Sequence, residues 1–162
     1  MKNIISLILL AILPLLSQAQ TKGEKLHQMH ANMEGFTSFS ISGSFLNDMD
    51  MNIDDDSKGK KVTGDINEMK FLNLKGETQK HNNKFYLYSV KELSGRGYKE
   101  VLTEECEKDA RFFARGKGKR YTEFHVLFHN DNRTMLISFF GQFKVSQLKS
   151  LCKMGMQKAH NK

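Results

Sequence analysis

Residues 121–140 read YTEFHVLFHNDNRTMLISFF, and the order of apolar and polar residues in this stretch decides the fold. From Tyr121 to His129 the residues alternate. Phe124, Val126 and Phe128 fall on one side, and His125, Leu127 and His129 on the other. Period two is the repeat of a β-strand, whose successive side chains point to opposite faces. Asn130-Asp131-Asn132 supplies turn residues, and Met135 to Phe140 reads as the return strand, ended by Gly141.

Working outward, Ala110 to Arg115 predicts a further strand, joined to the hairpin by Gly116-Lys117-Gly118-Lys119. The two glycines of that turn admit positive φ. Downstream, residues 144–154 place Val145, Leu148, Leu151 and Cys152 on one helical stripe, with Ser146 as cap. The tail from about residue 155 is polar and reads as loose. Upstream, Tyr98 to Leu102 predicts a strand. Phe85 to Leu93 predicts a helix that Ser94-Gly95-Arg96-Gly97 stops. Met69 to Leu74 is short, apolar and bounded by Gly76, a strand pattern.

Phe36 to Leu46 alternates again. Thr37, Phe39, Ile41, Gly43 and Phe45 share one face and Ser38, Ser40, Ser42 and Ser44 the other, a strand for at least its first half. Residues 20–34 carry Leu26, Met29 and Met33 at helical spacing and read as an exposed polar helix that Gly35 ends. Residues 47–61 run from acidic to basic and read as a frayed helix or loop followed by an exposed turn. The sum is an α+β domain: a mostly antiparallel meander sheet with two or three helices packed on one face.

The N-terminus has the three-part layout of a secretory leader. Lys2 is the positive region, Ile4 to Leu16 is apolar apart from Ser6, and Ser17-Gln18-Ala19 presents small residues for cleavage after Ala19. A membrane-spanning helix needs roughly 20 apolar residues, and this run is shorter and contains Pro14. Residues 1–19 are therefore expected to be removed, leaving a single domain over 20–162 with no transmembrane segment, in the periplasm or secreted. Net charge is +7, and losing Lys2 makes it +6. A basic balance favours anionic partners, and export leaves envelope components rather than nucleic acid as the fitting ones; solubility alone is the plainer use of the charge. Cys106 and Cys152 are free to pair in an oxidising compartment. A bridge between them would close a loop of about 45 residues, worth roughly 3–4 kcal/mol in the chain-entropy account. Two separate, inert thiols are the plainer reading.

Few constellations point to chemistry. Asp48-Met49-Asp50-Met51-Asn52-Ile53-Asp54 alternates oxygen ligands, but a calcium loop needs Gly at its sixth position and Glu at its twelfth. Ile53 and Gly59 stand there, so a solvated acidic face accounts for the run better. His27, Met29 and His30 are soft-metal ligands at helical spacing, a candidate copper site on a terminal helix. His125 and His129 lie about 13 Å apart along a strand at about 3.3 Å per residue, too far for one metal ion, and read as solvent-facing. No Gly-x-Ser-x-Gly sequence occurs, and no Cys stands beside a His. Arg111, Arg115, Lys117, Lys119 and Arg120, interleaved with Phe112, Phe113 and Tyr121, form the most suggestive surface. Arginine forks with aromatics can hold an anion, and a charged rim that discourages edge pairing is the plainer use.

Several stretches share an order and texture: Phe39-Ser40-Ile41-Ser42, the strand at Met69 to Leu74, Gly97-Tyr98-Lys99-Glu100-Val101-Leu102, the strand pair from Tyr121 to Phe140, and Gly141-Gln142-Phe143 before a helix. Through them the sequence from about Phe36 to Leu151, two-thirds of the chain, resembles the uncharacterised secreted family known as domain of unknown function 4252. The acidic insert at 47–61 departs from that pattern. The resemblance implies an envelope protein of Gram-negative bacteria with no known activity and no assigned catalytic residue. No residue pattern in the chain calls for a cofactor. Sequence thus favours a non-enzymatic binding or sensing module that meets an envelope protein or an anionic envelope component. A small hydrolase with an unrecognised site and a copper-binding protein are the alternatives.

Overall fold

The computed structural model describes residues 20–48, 65–75, 79–101, 110–118 and 120–144. Among these residues nine elements follow one another: α1 (Lys22–His30), β1 (Phe36–Ser42), α2 (Gly43–Asp48), β2 (Asp65–Leu74), α3 (Gln79–Leu93), β3 (Tyr98–Glu100), β4 (Ala110–Lys117), β5 (Arg120–Asn130) and β6 (Arg133–Lys144). The strands form one sheet in the order β1-β2-β6-β5-β4-β3, and every neighbouring pair is antiparallel. β3 to β6 is a meander. β2 inserts beside β6, so α3 carries the chain from one half of the sheet to the opposite edge. The α+β class and the meander are as expected.

Local chemistry sets the element ends. Thr21 caps α1 reciprocally: its hydroxyl accepts from the Glu24 N–H at 3.2 Å, and its own N–H donates to Glu24 Oε2 at 2.8 Å. The helix stops at His30, short of Gly35, which takes φ 82° at the entry to β1. β1 ends at Ser42 rather than running on to Leu46. A Cβ on Gly43 would strike the backbone carbonyl of Ile66, so the chain passes β2 closely there and turns into α2. Gly43 and Phe45 therefore leave the strand face assigned to them by alternation. Asn130 Oδ1 accepts from the N–H groups of Asn132 and Arg133, both at 3.0 Å, which closes the β5–β6 turn.

Gly141 does not end β6. It adopts φ 156°, and the registers of β2 and β5 against β6 both shift beside it. A glycine inside a strand absorbs such a bulge, and pairing resumes through Lys144. The helix expected over 144–154 otherwise lies outside the described residues, as do the leader, the acidic run beyond Asp48, Lys119, Cys106 and Cys152.

Both faces of the central strands are largely apolar and buried. Leu72, Leu74, Phe113, Leu127 and Leu136 meet Leu26 of α1 and Phe85 and Leu93 of α3. On the other face Met69, Phe71, Phe112, Phe124, Val126 and Ile137 form a second cluster that includes Leu46 of α2. Two helices thus share one face, and the short third serves the opposite one. Each fully buried large side chain contributes about 1.5–3 kcal/mol relative to exposure, so the two faces supply the bulk of the folding free energy.

Candidate functional site

One end of the helix-covered face is polar, and the strand registers assemble it. Arg115 on β4 stands opposite Glu123 on β5, and His125 on β5 opposite Ser138 on β6. Tyr98 of β3 reaches in from the edge, and α1 lays His27 over Ser138. Glu123, His125, Ser138 and His27 are all buried, none more than 4% exposed.

The hydrogen bonds run in one series. Glu123 Oε1 accepts from Arg115 Nη1 at 2.9 Å, and its Oε2 accepts from the Tyr98 hydroxyl at 2.7 Å. His125 Nε2 lies 3.2 Å from the same Oε2, and His125 Nδ1 lies 2.7 Å from Ser138 Oγ. His27 Nε2 lies 2.8 Å from Ser138 Oγ on its other side. The Tyr98 hydroxyl accepts from the Gly23 N–H at 3.0 Å, which ties the start of α1 to the same group.

Electrostatics assigns the protons. Burial pushes the Glu123 carboxyl up, but hydrogen bonds from His125 and Tyr98 outweigh it and hold the group below its ordinary value, ionised. An ionised carboxylate only accepts, so His125 carries its proton on Nε2. Burial lowers His125 against the pull of Glu123 and keeps it neutral, which leaves Nδ1 as an acceptor. Ser138 therefore donates to His125 and accepts from His27 Nε2–H. Burial above all, with the positive charge of Lys70 adding to it, lowers His27 to about 3, so its buried Nδ1 is a bare lone pair with no partner among the described residues.

Serine, histidine and carboxylate in series are the parts of a nucleophile, a base and its orienting group. Here they are closed. Ser138 Oγ is held between two imidazoles beneath α1, and no side of it is free to approach a carbonyl. What the series does is fasten α1 to the sheet. A parallel arrangement fastens α3: Thr134 on β6 donates to the carbonyl of Asn82 at 3.1 Å and accepts from His129 Nδ1 at 2.8 Å. His129 also stacks on Tyr86 at 4.3 Å.

Sequence reasoning missed this network. It read His125 as solvent-facing and α1 as an exposed polar helix, whereas His125 is wholly buried and α1 buries Gly23, Leu26 and His27. The alternation was right, but a polar side of a strand is wet only when nothing lies on it. Two signals were present. Counting outward from the Asn130–Arg133 turn sets His125 opposite Ser138 and His129 opposite Thr134. Gly23 inside a helix marks a close approach, since a Cβ there would strike the His125 ring.

The predicted cationic cluster is partly engaged. Arg111 forms a two-pronged pair with Glu100, both bonds 2.7 Å, over the Phe113 ring. Arg115 is held by Glu123. Lys117 and Arg120 face one another across the exposed hairpin tip. The soft-metal residues diverge. His27 turns to Ser138, while His30 donates from Nδ1 to the Leu26 carbonyl at 2.8 Å and packs among Phe36, Phe85 and Tyr88. Met29 is exposed, its sulfur 3.8 Å from the Tyr88 hydroxyl. No group of three or more His, Cys, Asp or Glu suited to a metal occurs among the described residues.

The outermost strands differ. β3 is three residues long and carries Lys99 and Glu100. β1 is seven residues of Phe, Thr, Ser and Ile with no charge and no proline. Residues 37–40 are exposed, and β2 is its one strand neighbour among the described residues.

Fold and site together define a small α+β protein with a buried polar network and, among the described residues, one uncharged outer strand, β1. A family model described as "Domain of unknown function (DUF4252)" matches residues 28–151, most of the chain, and the protein belongs to that family. No curated protein and no solved structure matches it.

Proposed function

We propose that this protein is an exported, non-enzymatic binding module that accepts an extended segment along the outer edge of β1. The observation that carries the reading is the edge itself. An unpaired strand presents a row of N–H and C=O groups, and sheets that must avoid pairing protect it with charge, proline, bulges or shortness. β3 has two of those devices and β1 has none. Strand addition supplies main-chain hydrogen bonds, and Phe39, 42% exposed and stacked on Phe71 at 4.6 Å, offers an apolar contact beside them. The leader supports an envelope location, and intact-mass analysis of the mature protein should find Gln20 as its first residue.

Photo-crosslinking in cells tests the edge. A benzophenone amino acid at Phe39 should trap an occupant that the same group at exposed Lys91 of α3 does not. Equal trapping at the two positions would refute the reading.

The hydrolase alternative has one observation in its favour, the Ser138–His125–Glu123 series. Its closure beneath α1 argues against it. A fluorophosphonate probe should leave Ser138 of the native protein unlabelled, and labelling that Ser138→Ala abolishes would revive it.

A further inference from the structure

We infer that the occupant of the β1 edge is a second copy of this chain, paired antiparallel about a two-fold axis at Phe39. This rests on the edge-docking reading above. An antiparallel ladder has two-fold axes at opposed residue pairs, so a strand can pair with its own copy when one residue sits on the axis. β1 has seven residues, and only the register centred on its fourth, Phe39, pairs the whole strand. Ser38 then opposes Ser40, Thr37 opposes Ile41 and Phe36 opposes Ser42.

Charge does not oppose this partner along β1. The mature chain, at 7 − 1 = +6 without Lys2, repels its copy across most other approaches. Along β1 there is no charge to repel, and on the strand behind it Lys70 and Glu68 neutralise one another at 3.3 Å. Faces agree as well. Directly opposed residues of an antiparallel pair lie on the same face of the joined sheet, so each exposed Phe39 ring would cover the other. The two sheets would join into one of twelve strands, leaving only the short charged β3 at either end.

Sedimentation equilibrium of the mature protein should show twice the monomer mass, and Ser38→Lys/Ser40→Lys should return it to monomer with its circular dichroism unchanged. In a background with Cys106→Ser and Cys152→Ser, Phe39→Cys should oxidise to a covalent dimer. Thr37→Cys should not crosslink to itself but should crosslink to Ile41→Cys. A wild-type monomer at all concentrations overturns the inference, and so does a dimer that survives the lysine pair without a crosslink at Phe39. The cell experiment separates the two readings. A Phe39 product of twice the chain mass supports both. A product with a different protein keeps the edge-docking reading and sinks this one.

Discussion

Ser138 is the residue on which the helix-covered face depends. Its single hydroxyl proton goes to His125 and its lone pair receives His27 Nε2–H. Ser138→Ala leaves a buried donor and a buried acceptor without partners, and should lower stability by about 2 kcal/mol in urea unfolding. Gly23→Ala tests the close approach of α1. Helix propensity alone would favour Ala by about 1 kcal/mol. The Cβ would instead strike His125 and approach Glu123, so the substitution should destabilise, by about 1–3 kcal/mol as overpacking does. The buried histidines predict a pH dependence. His27 falls from 6.5 in the unfolded chain to about 3 when folded, so the folded state binds fewer protons between those values. The stability is present above pH 6.5 and is lost as pH falls toward 3. His27 alone should make the protein about 2 kcal/mol less stable at pH 5 than at pH 7. His125 and Glu123, both lowered, act with the same sign, Glu123 in a more acidic window. Thermal melts across that range should show the slope, and His27→Asn should flatten it.

At the scale of elements, caps and close contacts decide where helices start. The reciprocal pair of Thr21 and Glu24 satisfies two N–H groups at the head of α1. Thr21→Ala should cost about 1 kcal/mol and loosen the helix that covers the polar network. Hydrogen exchange of α1 amides should quicken while β5 and β6 stay protected. The sheet pins its helices with one device used twice on β6. Ser138 receives His27 of α1, and Thr134 donates to Asn82 of α3, with Leu136 between them on the same face. Hydroxyls two turns of the pleat apart thus hold two helices over a shared apolar strip.

At the scale of the whole molecule, the central strands are buried on both sides, so neighbouring residues of such a strand should both matter. Leu136 faces the helices and Ile137 the opposite cluster. Leu136→Ala and Ile137→Ala should each cost roughly 2–5 kcal/mol, against a negligible effect for whichever of the two faced water in a one-sided sheet. Much of this organisation was legible in the chain. The alternation from Tyr121 to His129 and the Asn130–Asn132 turn determined the central hairpin and its register, because strand period and turn chemistry are local properties. The apolar spacing from Phe85 to Leu93 likewise marked α3. Three things were decided only in three dimensions. Gly141 reads as a stop but serves as a bulge, because strands on both sides keep β6 paired. His125 reads as exposed but is buried, because α1, about a hundred residues earlier, lies on it. β1 reads as a strand, but its place at the edge of the described sheet follows from long-range pairing alone. Sequence by itself determined which residues share a face; the tertiary structure decided which faces are covered, since covering requires contact between segments that no local pattern relates.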